Sequence, residues 1–349
     1  MRKKLMSSML FVSVLVLTGC KADIRKDKAV EGSSEPLTKV TVTNRDDETV
    51  IDGDRDLNQL VFDQHEYQYD VVTGATQTTF GTTPPALYSE QEKQEKMFWS
   101  NQPPLGLLKG DYYRNEGSFT GGNYGIVEIV TEENKGKILN VEFTEFASDP
   151  YYESKYSGVN KRLSDYAFFQ ASNTRTDPTL VTVVNGITYL EKQMRDENRV
   201  TGEFNTVNGS STSARDGFMP LAAALDDSIR KPTNTKYQGY AEELANGLIA
   251  RLEVITTAGK ITEVFYDEYF ADTQEKITDP DLKPYYRQSK YYSLMYNEKT
   301  NHEFVTFSDQ LVAEIKESQS LVLSTERLMS YPSYESYQKL AEHIQLKAQ

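Results

Sequence analysis

The chain has very few of the residues on which thiol and metal chemistry usually depend. Its 349 residues include one cysteine, Cys20, and three isolated histidines, His65, His302 and His343. A single cysteine rules out an intramolecular disulfide and a multi-cysteine metal centre, and the histidines lack the spacing of a zinc site. We therefore predict no metal site, and the sequence points to no catalytic residue.

Positive charge is also scarce, since 38 lysines and arginines face 52 aspartates and glutamates, which gives a formal net charge of −14. A protein that binds the phosphates of nucleic acid needs a basic stripe, and none stands out here. P-loop and dinucleotide-binding fingerprints are missing too. The sequence therefore argues against a nucleic-acid partner. A hydrophobic content of 38% still allows packed cores.

The N-terminus carries the longest apolar run of the chain. Three basic residues precede an apolar stretch over 5–17, which is too short to span a bilayer and is typical of a signal-peptide core. It ends in the sequence LTGC, which resembles the lipobox of bacterial lipoproteins. The resemblance implies a signal peptide over 1–19, lipidation of Cys20 (palmitate), and a lipid-anchored protein at the extracellular face of the cell membrane.

A weak internal repeat organises the remainder. Residues 20–108 are predicted to be a polar tether and linker, because their first part holds few core-forming residues and paired prolines punctuate the rest. Further on, NKGKILNVEFTEF matches TAGKITEVFYDEY, and Lys161 in NKRLS matches Lys290 in SKYYS. A unit of about 120 residues that occurs twice predicts two related domains, over 109–232 and 233–349.

Each repeat unit places strands before helices. Alternating apolar residues predict strands, and apolar residues at helical spacing predict amphipathic helices. The predicted strands cover 125–131, 138–146, 250–257 and 261–269, and the predicted helices cover 186–197 and 308–318. This order is typical of an α+β fold, in which helices pack on one face of an antiparallel sheet.

One stretch of the predicted tether, YDVVTGATQTTFG, has a more regular pattern of residue types than a polar loop requires. It resembles the flavinylation motif of the FMN-binding domain family, Asp-x-x-(Ser/Thr)-Gly-Ala-(Thr/Ser), over residues 70–76. Glycine permits a tight turn, and alanine adds no bulk beside a protruding hydroxyl. The resemblance implies that a flavin transferase attaches FMN to the motif's last hydroxyl as a phosphoester. The implied cofactor-binding residues are Asp70, Thr73, Gly74, Ala75 and the acceptor Thr76.

The chain over 109–349 resembles the same family, especially the two-domain flavinylated lipoproteins of Gram-positive extracellular electron transfer. In the first unit NTVNGSS stands at the motif position, with Gly209 and Ser210 before a candidate acceptor, Ser211, but with asparagine in place of the acid and of the first hydroxyl. The second unit keeps only a serine. Three alternatives stay open: Thr76 carries FMN, Ser211 carries it, or neither does. We also hypothesise that the Thr76 loop fills the gap in the second unit.

The function implied by the resemblance is electron transfer. The protein would be a membrane-anchored extracellular flavoprotein that relays electrons from the membrane quinone pool to extracellular acceptors, rather than a classical enzyme. Its expected partners are the lipid bilayer, a flavin transferase and a quinone-linked NADH dehydrogenase module. The alternative is a non-flavinylated surface lipoprotein of the same fold that binds a ligand or a cell-wall component. A signal-derived peptide pheromone from residues 11–19 is a further alternative.

Tyrosines and cations in the two units form a second candidate site. The tyrosines over 151–166 and 285–296 can stack on an isoalloxazine ring or pack in the core, and both interpretations are open. The neighbouring cations are candidates to pair with the FMN phosphate. They are Lys161, Arg162, Arg287 and Lys290.

Overall fold

In a computed structural model of the protein, the described residues are 39–42, 67–72, 85–97, 99–177, 180–207 and 213–346, and all of them belong to the compact unit over 37–349. The strands are β1 (Lys39–Val42), β2 (Tyr67–Val72), β3 (Gly106–Ser118), β4 (Tyr124–Thr131), β5 (Ile138–Phe146), β6 (Phe204–Val207), β7 (Thr235–Glu243), β8 (Leu248–Thr257) and β9 (Lys260–Phe270). The helices are α1 (Glu90–Lys96), α2 (Tyr166–Ser172), α3 (Val183–Asp196), α4 (Met219–Ala223), α5 (Asp226–Ile229), α6 (Leu294–Lys299), α7 (Glu303–Ser318), α8 (Glu326–Met329) and α9 (Ser333–Ala341).

The main sheet has six antiparallel strands in the order β5-β4-β3-β7-β8-β9. It consists of two three-stranded meanders, one from each repeat unit, joined edge to edge where β3 pairs with β7. The α+β prediction is confirmed, and the strands and helices predicted in each unit are present. The sheet is continuous across the predicted domain boundary between 232 and 233.

The six-stranded sheet is strongly curled. Arg251 on β8 forms an ion pair of 2.9 Å with Glu142 on β5, although three strands lie between them in the sheet order. In a flat sheet these two strands would be roughly 19 Å apart, at about 4.8 Å per strand spacing. Arg114 on β3 likewise reaches Glu263 on β9, at 2.7 Å. The sheet therefore has an enclosed inner face and an outer face.

Two equivalent segments connect the edges of the curled sheet. Lys161 donates its backbone N–H to the carbonyl of Glu145 in β5, and Lys290 does the same to the carbonyl of Glu268 in β9. Each lysine ammonium also pairs with the carboxylate of the same glutamate, at 2.7 Å and 2.5 Å. The backbone N–H of Ser289 then donates to the carbonyl of Leu163 at 2.9 Å, which joins the two segments. The structure thus gives the repeated lysines of the sequence the same role.

The helices pack on the outer face of the sheet. In β4, Val127 and Ile129 are fully buried in a cluster that also contains Ile187 and Leu190 of α3. In the second unit, α7 contributes Leu311 and other apolar side chains to a similar cluster on β8 and β9. Helix α3 begins where the Asn185 side chain accepts the backbone N–H of Thr182 at 2.9 Å. The alternation of the strands thus places the apolar positions under the helices.

The last part of the predicted linker belongs to the fold. Residues 99–104 are buried, and β3 already begins at Gly106, ahead of the predicted boundary at 109. The side-chain amide of Asn101 donates to the carbonyls of Arg162 and Arg287, at 2.5 Å and 3.0 Å. This linker end therefore ties the two connecting segments together. None of the helices among the described residues is long and apolar enough to cross a membrane.

Candidate functional site

The strand that leads into the predicted flavinylation motif lies beside the strand that leads into its degenerate counterpart. β2 pairs with β6 in an antiparallel register that sets Asp70 opposite Thr206 and Val71 opposite Asn205. With β1 on the other side of β2, these strands form the three-stranded sheet. The remaining predicted attachment residues lie outside the described residues. They are Cys20, Thr73, Gly74, Ala75, Thr76, Gly209, Ser210 and Ser211.

The three-stranded sheet is fixed to the first repeat unit through β6. The side-chain amide of Gln193 on α3 donates to the carbonyl of Asn205 at 2.8 Å and accepts its N–H at 2.9 Å. This amide satisfies the edge of β6 much as a neighbouring strand would. Among the described residues β2 has strand partners in β1 and β6 only. The start of the motif thus lies beside the first unit, which gives no support to the hypothesis that the Thr76 loop fills the second.

The tyrosine clusters are packed within each unit. The hydroxyls of Tyr151 and Tyr166 are 2.8 Å apart, and the ring of Tyr166 meets that of Tyr156 edge-on at 5.4 Å. In the second unit the rings of Tyr285 and Tyr296 lie 5.3 Å apart. These contacts favour the packing interpretation over stacking on a flavin.

The four candidate phosphate-binding cations have acceptors within the fold. Lys161, Arg162 and Lys290 each pair with a buried carboxylate, and the Arg287 guanidinium donates to two backbone carbonyls. The acceptors are Glu145, Glu191 and Glu268 for the three ion pairs, and Asp272 and Met97 for Arg287. The described contacts therefore give these cations a structural role.

The inner face of the curled sheet holds an acidic network that sequence reasoning missed. We call Glu128, Glu142, Arg251 and Glu253 the inner-face network. Arg251 pairs with Glu142 and Glu253, at 2.9 Å and 2.6 Å, so that one guanidinium serves two carboxylates, while Glu128 accepts the hydroxyl of Tyr112. A cavity of about 260 Å³ is lined by all three glutamates. In the described part of the chain, no group of acidic, histidine or cysteine side chains is arranged to hold a metal ion.

Carboxylates around this cavity have strongly shifted pKa values. Burial, together with the nearby carboxylates of Glu253 and Glu142, raises the pKa of Glu128 to about 7. Burial also acts on Glu142, but Arg251 and Arg162 lower its pKa to about 2. Two carboxylates of one network thus occupy different protonation states near neutral pH, which is an arrangement that can hold and release a proton.

Asp267 also lines this cavity, and its raised pKa leads to a testable prediction about how stability depends on pH. Burial raises its pKa from 3.8 to about 7, although Ser289 and two backbone N–H groups stabilise the charged form. The folded state therefore binds this proton more tightly than the unfolded state. The resulting stabilisation is complete below about pH 3.8 and is lost as the pH rises to about 7. Asp267→Asn should remove this loss. The unfolding free energy at pH 8, taken relative to that at pH 4, should therefore be a few kcal/mol higher in the variant than in the unmodified protein, at about 1.4 kcal/mol per pKa unit.

Urea unfolding of the variant and the unmodified protein at the two pH values measures this difference. Asp281→Asn is the matched control, because the side chain of Asp281 is 83% exposed. We expect the control to keep the pH dependence of the unmodified protein. The same dependence in Asp267→Asn would contradict the assignment of a raised pKa to this carboxyl.

A second cavity, of about 400 Å³, lies where the linker end meets the first unit. We call it the Trp99 cavity. Its walls include Trp99, Phe168, Tyr286 and Arg287. Trp99 is the only tryptophan of the chain, is 2% exposed, and has a buried indole nitrogen without a hydrogen-bond partner. Its aromatic walls fit a planar or apolar group better than a charged metal complex.

Comparisons with known proteins return no match, whether with protein-family models, with curated proteins or with solved structures. The resemblance to the FMN-binding domain family therefore rests on the motif residues and on the repeated pattern of the sequence.

Proposed function

We propose that this protein is an exported flavoprotein that carries FMN covalently on Thr76 and relays electrons from a quinone-linked membrane dehydrogenase to extracellular acceptors. In this proposal Cys20 is the lipid anchor, and the two repeat units over 109–232 and 233–349 are related FMN-binding-type domains. A flavin transferase is the partner that loads the cofactor. The flavin would supply the redox chemistry, and the chain supplies attachment, orientation and exclusion of solvent.

The observation that carries the proposal is the pairing of β2 with β6. A polar tether is not expected to form strand pairs with a folded unit. The strand containing Asp70 nevertheless pairs with the strand that begins the degenerate motif. The intact sequence therefore starts next to the position at which the family motif is expected. Covalent attachment suits an exported protein, because a tethered cofactor keeps a high effective concentration and a dissociating one is diluted.

A second candidate function has support of its own. Lys161, Arg162, Arg287 and Lys290 all have acceptors inside the fold, and the motif is degraded in both repeat units. These features favour a non-flavinylated surface lipoprotein that binds a ligand or a cell-wall component through the same fold.

Co-expression with a flavin transferase distinguishes the two functions. We expect a band with flavin fluorescence at the position of this chain on a denaturing gel. A phosphoester keeps the flavin attached after the protein unfolds, whereas FMN bound without a covalent bond dissociates. The same chain produced without the transferase is the control and should give a dark band. A dark band in both samples would favour the ligand-binding lipoprotein.

A further inference from the structure

We propose that the cavity of about 260 Å³ beside the inner-face network binds a small organic ammonium ion that carries N–H groups and a short apolar tail. We call it the inner-face cavity. Both repeat units contribute to its walls, through β4 and β5 of the first and β8 and β9 of the second. The site does not depend on the attachment of FMN to Thr76, so it goes beyond both functions proposed above.

The sheet carries more negative than positive charge around this cavity. Four of its carboxylates line the wall, those of Glu128, Glu142, Glu253 and Asp267. Arg251 stands opposite Asp267 in the strand register, but its guanidinium pairs with Glu142 and Glu253. Glu128 and Asp267 form no ion pair with any described residue. Because like charges repel strongly away from water, the cavity favours an additional positive charge.

The other cations near these carboxylates pair with further carboxylates of the fold. The pairs are Arg114 with Glu263, Arg162 with Glu191, and Lys290 with Glu268. Asp309 of α7 adds another carboxylate to the wall, and it accepts the hydroxyl of Tyr291 at 2.8 Å. These contacts do not supply the positive charge that Glu128 and Asp267 lack.

The hydroxyl of Tyr269 indicates that the ligand carries hydrogen-bonding groups. Tyr269 lies two residues after Asp267 on β9, so both side chains are on the inner face. Only 5% of Tyr269 is exposed, and it lines the cavity. Its hydroxyl has no hydrogen-bond partner among the described residues and remains open to the cavity. Buried polar groups nearly always have a partner, and a phenolic oxygen can accept the N–H of an ammonium ion.

Aromatic rings form much of the remaining wall. The ring of Tyr292 meets that of Tyr291 edge-on at 4.9 Å and that of Phe146 edge-on at 6.2 Å. Phe265 also lines the cavity but is 43% exposed, so its ring extends from the cavity to the solvent. Ring faces attract an ammonium group, and their apolar area suits a short alkyl tail. The volume is slightly below that of drug-sized sites, which favours a small ligand.

Protons and the ammonium ion compete for the same carboxylates. Burial raises the pKa of Glu128 and of Asp267 to about 7. A bound cation stabilises the charged form of each carboxyl, so binding should release a proton and should weaken as the pH falls. If one of the two must be ionised, the affinity at pH 8 should be about tenfold higher than at pH 6.

Titratable and charged groups from five parts of the fold face these two carboxyls. They are Tyr112 and Arg114 of β3, Glu142 of β5, Arg251 and Glu253 of β8, Tyr266, Glu268 and Tyr269 of β9, and Lys290, Tyr291 and Tyr292 of the segment after β9.

Calorimetric titration with butylammonium chloride tests the proposal. The mature chain is produced without a flavin transferase, so the result does not depend on whether Thr76 is modified. We expect saturable binding that releases protons at pH 7, which is measured by repeating the titration in phosphate and in HEPES, two buffers with different heats of ionisation. Butan-1-ol is the neutral control of the same shape, and potassium chloride is the control for ionic strength. Equal binding of either control would overturn the proposal.

Variants of the wall test where the ammonium ion binds. Tyr269→Phe removes only the hydroxyl and should weaken binding severalfold, the usual effect of one hydrogen bond to a charged group. The double variant Glu128→Gln, Asp267→Asn keeps the shape of both side chains. It should weaken binding at pH 8 by at least about tenfold and abolish proton release, since both ionisable groups are removed. Tyr152→Phe is the control, because Tyr152 is 78% exposed and does not line the cavity.

Thermal unfolding shows first that each variant is folded. Unchanged affinity in the double variant, or equal affinity of the unmodified chain at pH 6 and pH 8, would overturn the proposal. If the double variant did not fold, unchanged affinity in Tyr269→Phe would overturn it instead.

Discussion

Thr76→Ala is expected to abolish covalent FMN completely when the chain is co-expressed with a flavin transferase. Alanine lacks the hydroxyl oxygen that would form the phosphoester. The measurement is flavin fluorescence of the unfolded protein on a denaturing gel, normalised to the amount of chain.

Ser211→Ala is the matched control, because it removes the other candidate hydroxyl. We expect it to keep the full flavin signal, since asparagine has replaced the acid and the first hydroxyl of its motif. If the signal survived in Thr76→Ala and disappeared in Ser211→Ala, attachment would belong to the degenerate motif at 205–211. The intact motif would then be a chance match.

Arg251→Met is expected to lower the free energy of unfolding by about 3–5 kcal/mol, the usual effect of removing one partner from a buried ion pair. Arg251 is the only cation paired with both Glu142 and Glu253 among the described ion pairs, and its side chain is 7% exposed. Methionine fills similar space but leaves two partly buried carboxylates, 20% and 17% exposed, without the cation between them. Chemical denaturation at neutral pH measures the loss.

Two further variants show whether charge is responsible for that loss. Arg230→Met removes an arginine from the exposed pair with Asp226, and it should leave stability unchanged within error, as is usual for surface pairs. The double variant Arg251→Met, Glu142→Gln should recover part of the loss, because it removes one of the stranded charges. A loss of less than about 1 kcal/mol in Arg251→Met would show that the inner-face network does not hold the curled sheet together.

The elements of the fold were predictable where local pattern determines them. The spacing of Ile187, Leu190 and Met194 predicts α3, and the alternation around Val127 and Ile129 predicts β4. Both patterns reflect apolar positions that face a single core, so the period of the sequence carries the information. The repeat was visible in the sequence for the same reason, because both units pack apolar strand and helix positions against each other in the same order.

The inner-face network was not predictable, because its pattern is that of a solvent-exposed face. In β8, Arg251 and Glu253 alternate with Ala250, Leu252 and Val254, which normally indicates one buried face and one in water. The structure encloses the charged face by curling the sheet until β8 reaches β5. Curling depends on contacts between residues more than a hundred positions apart, and a local sequence pattern does not predict such contacts.

The Trp99 cavity was missed for a different reason. Paired prolines and polar residues around 84–104 predicted a linker, whereas the structure buries its end through the bonds of Asn101. The available signal was the stretch MFW, which ends in Trp99. Large apolar residues are uncommon in solvated tethers, and they indicated a docked segment.

The most direct test of the flavoprotein account is the intact mass of the mature protein purified from its native host. The account predicts a mass that exceeds that of the lipidated polypeptide from Cys20 onward by one covalently bound FMN, together with yellow protein. A colourless protein whose mass equals polypeptide and lipid alone would contradict it.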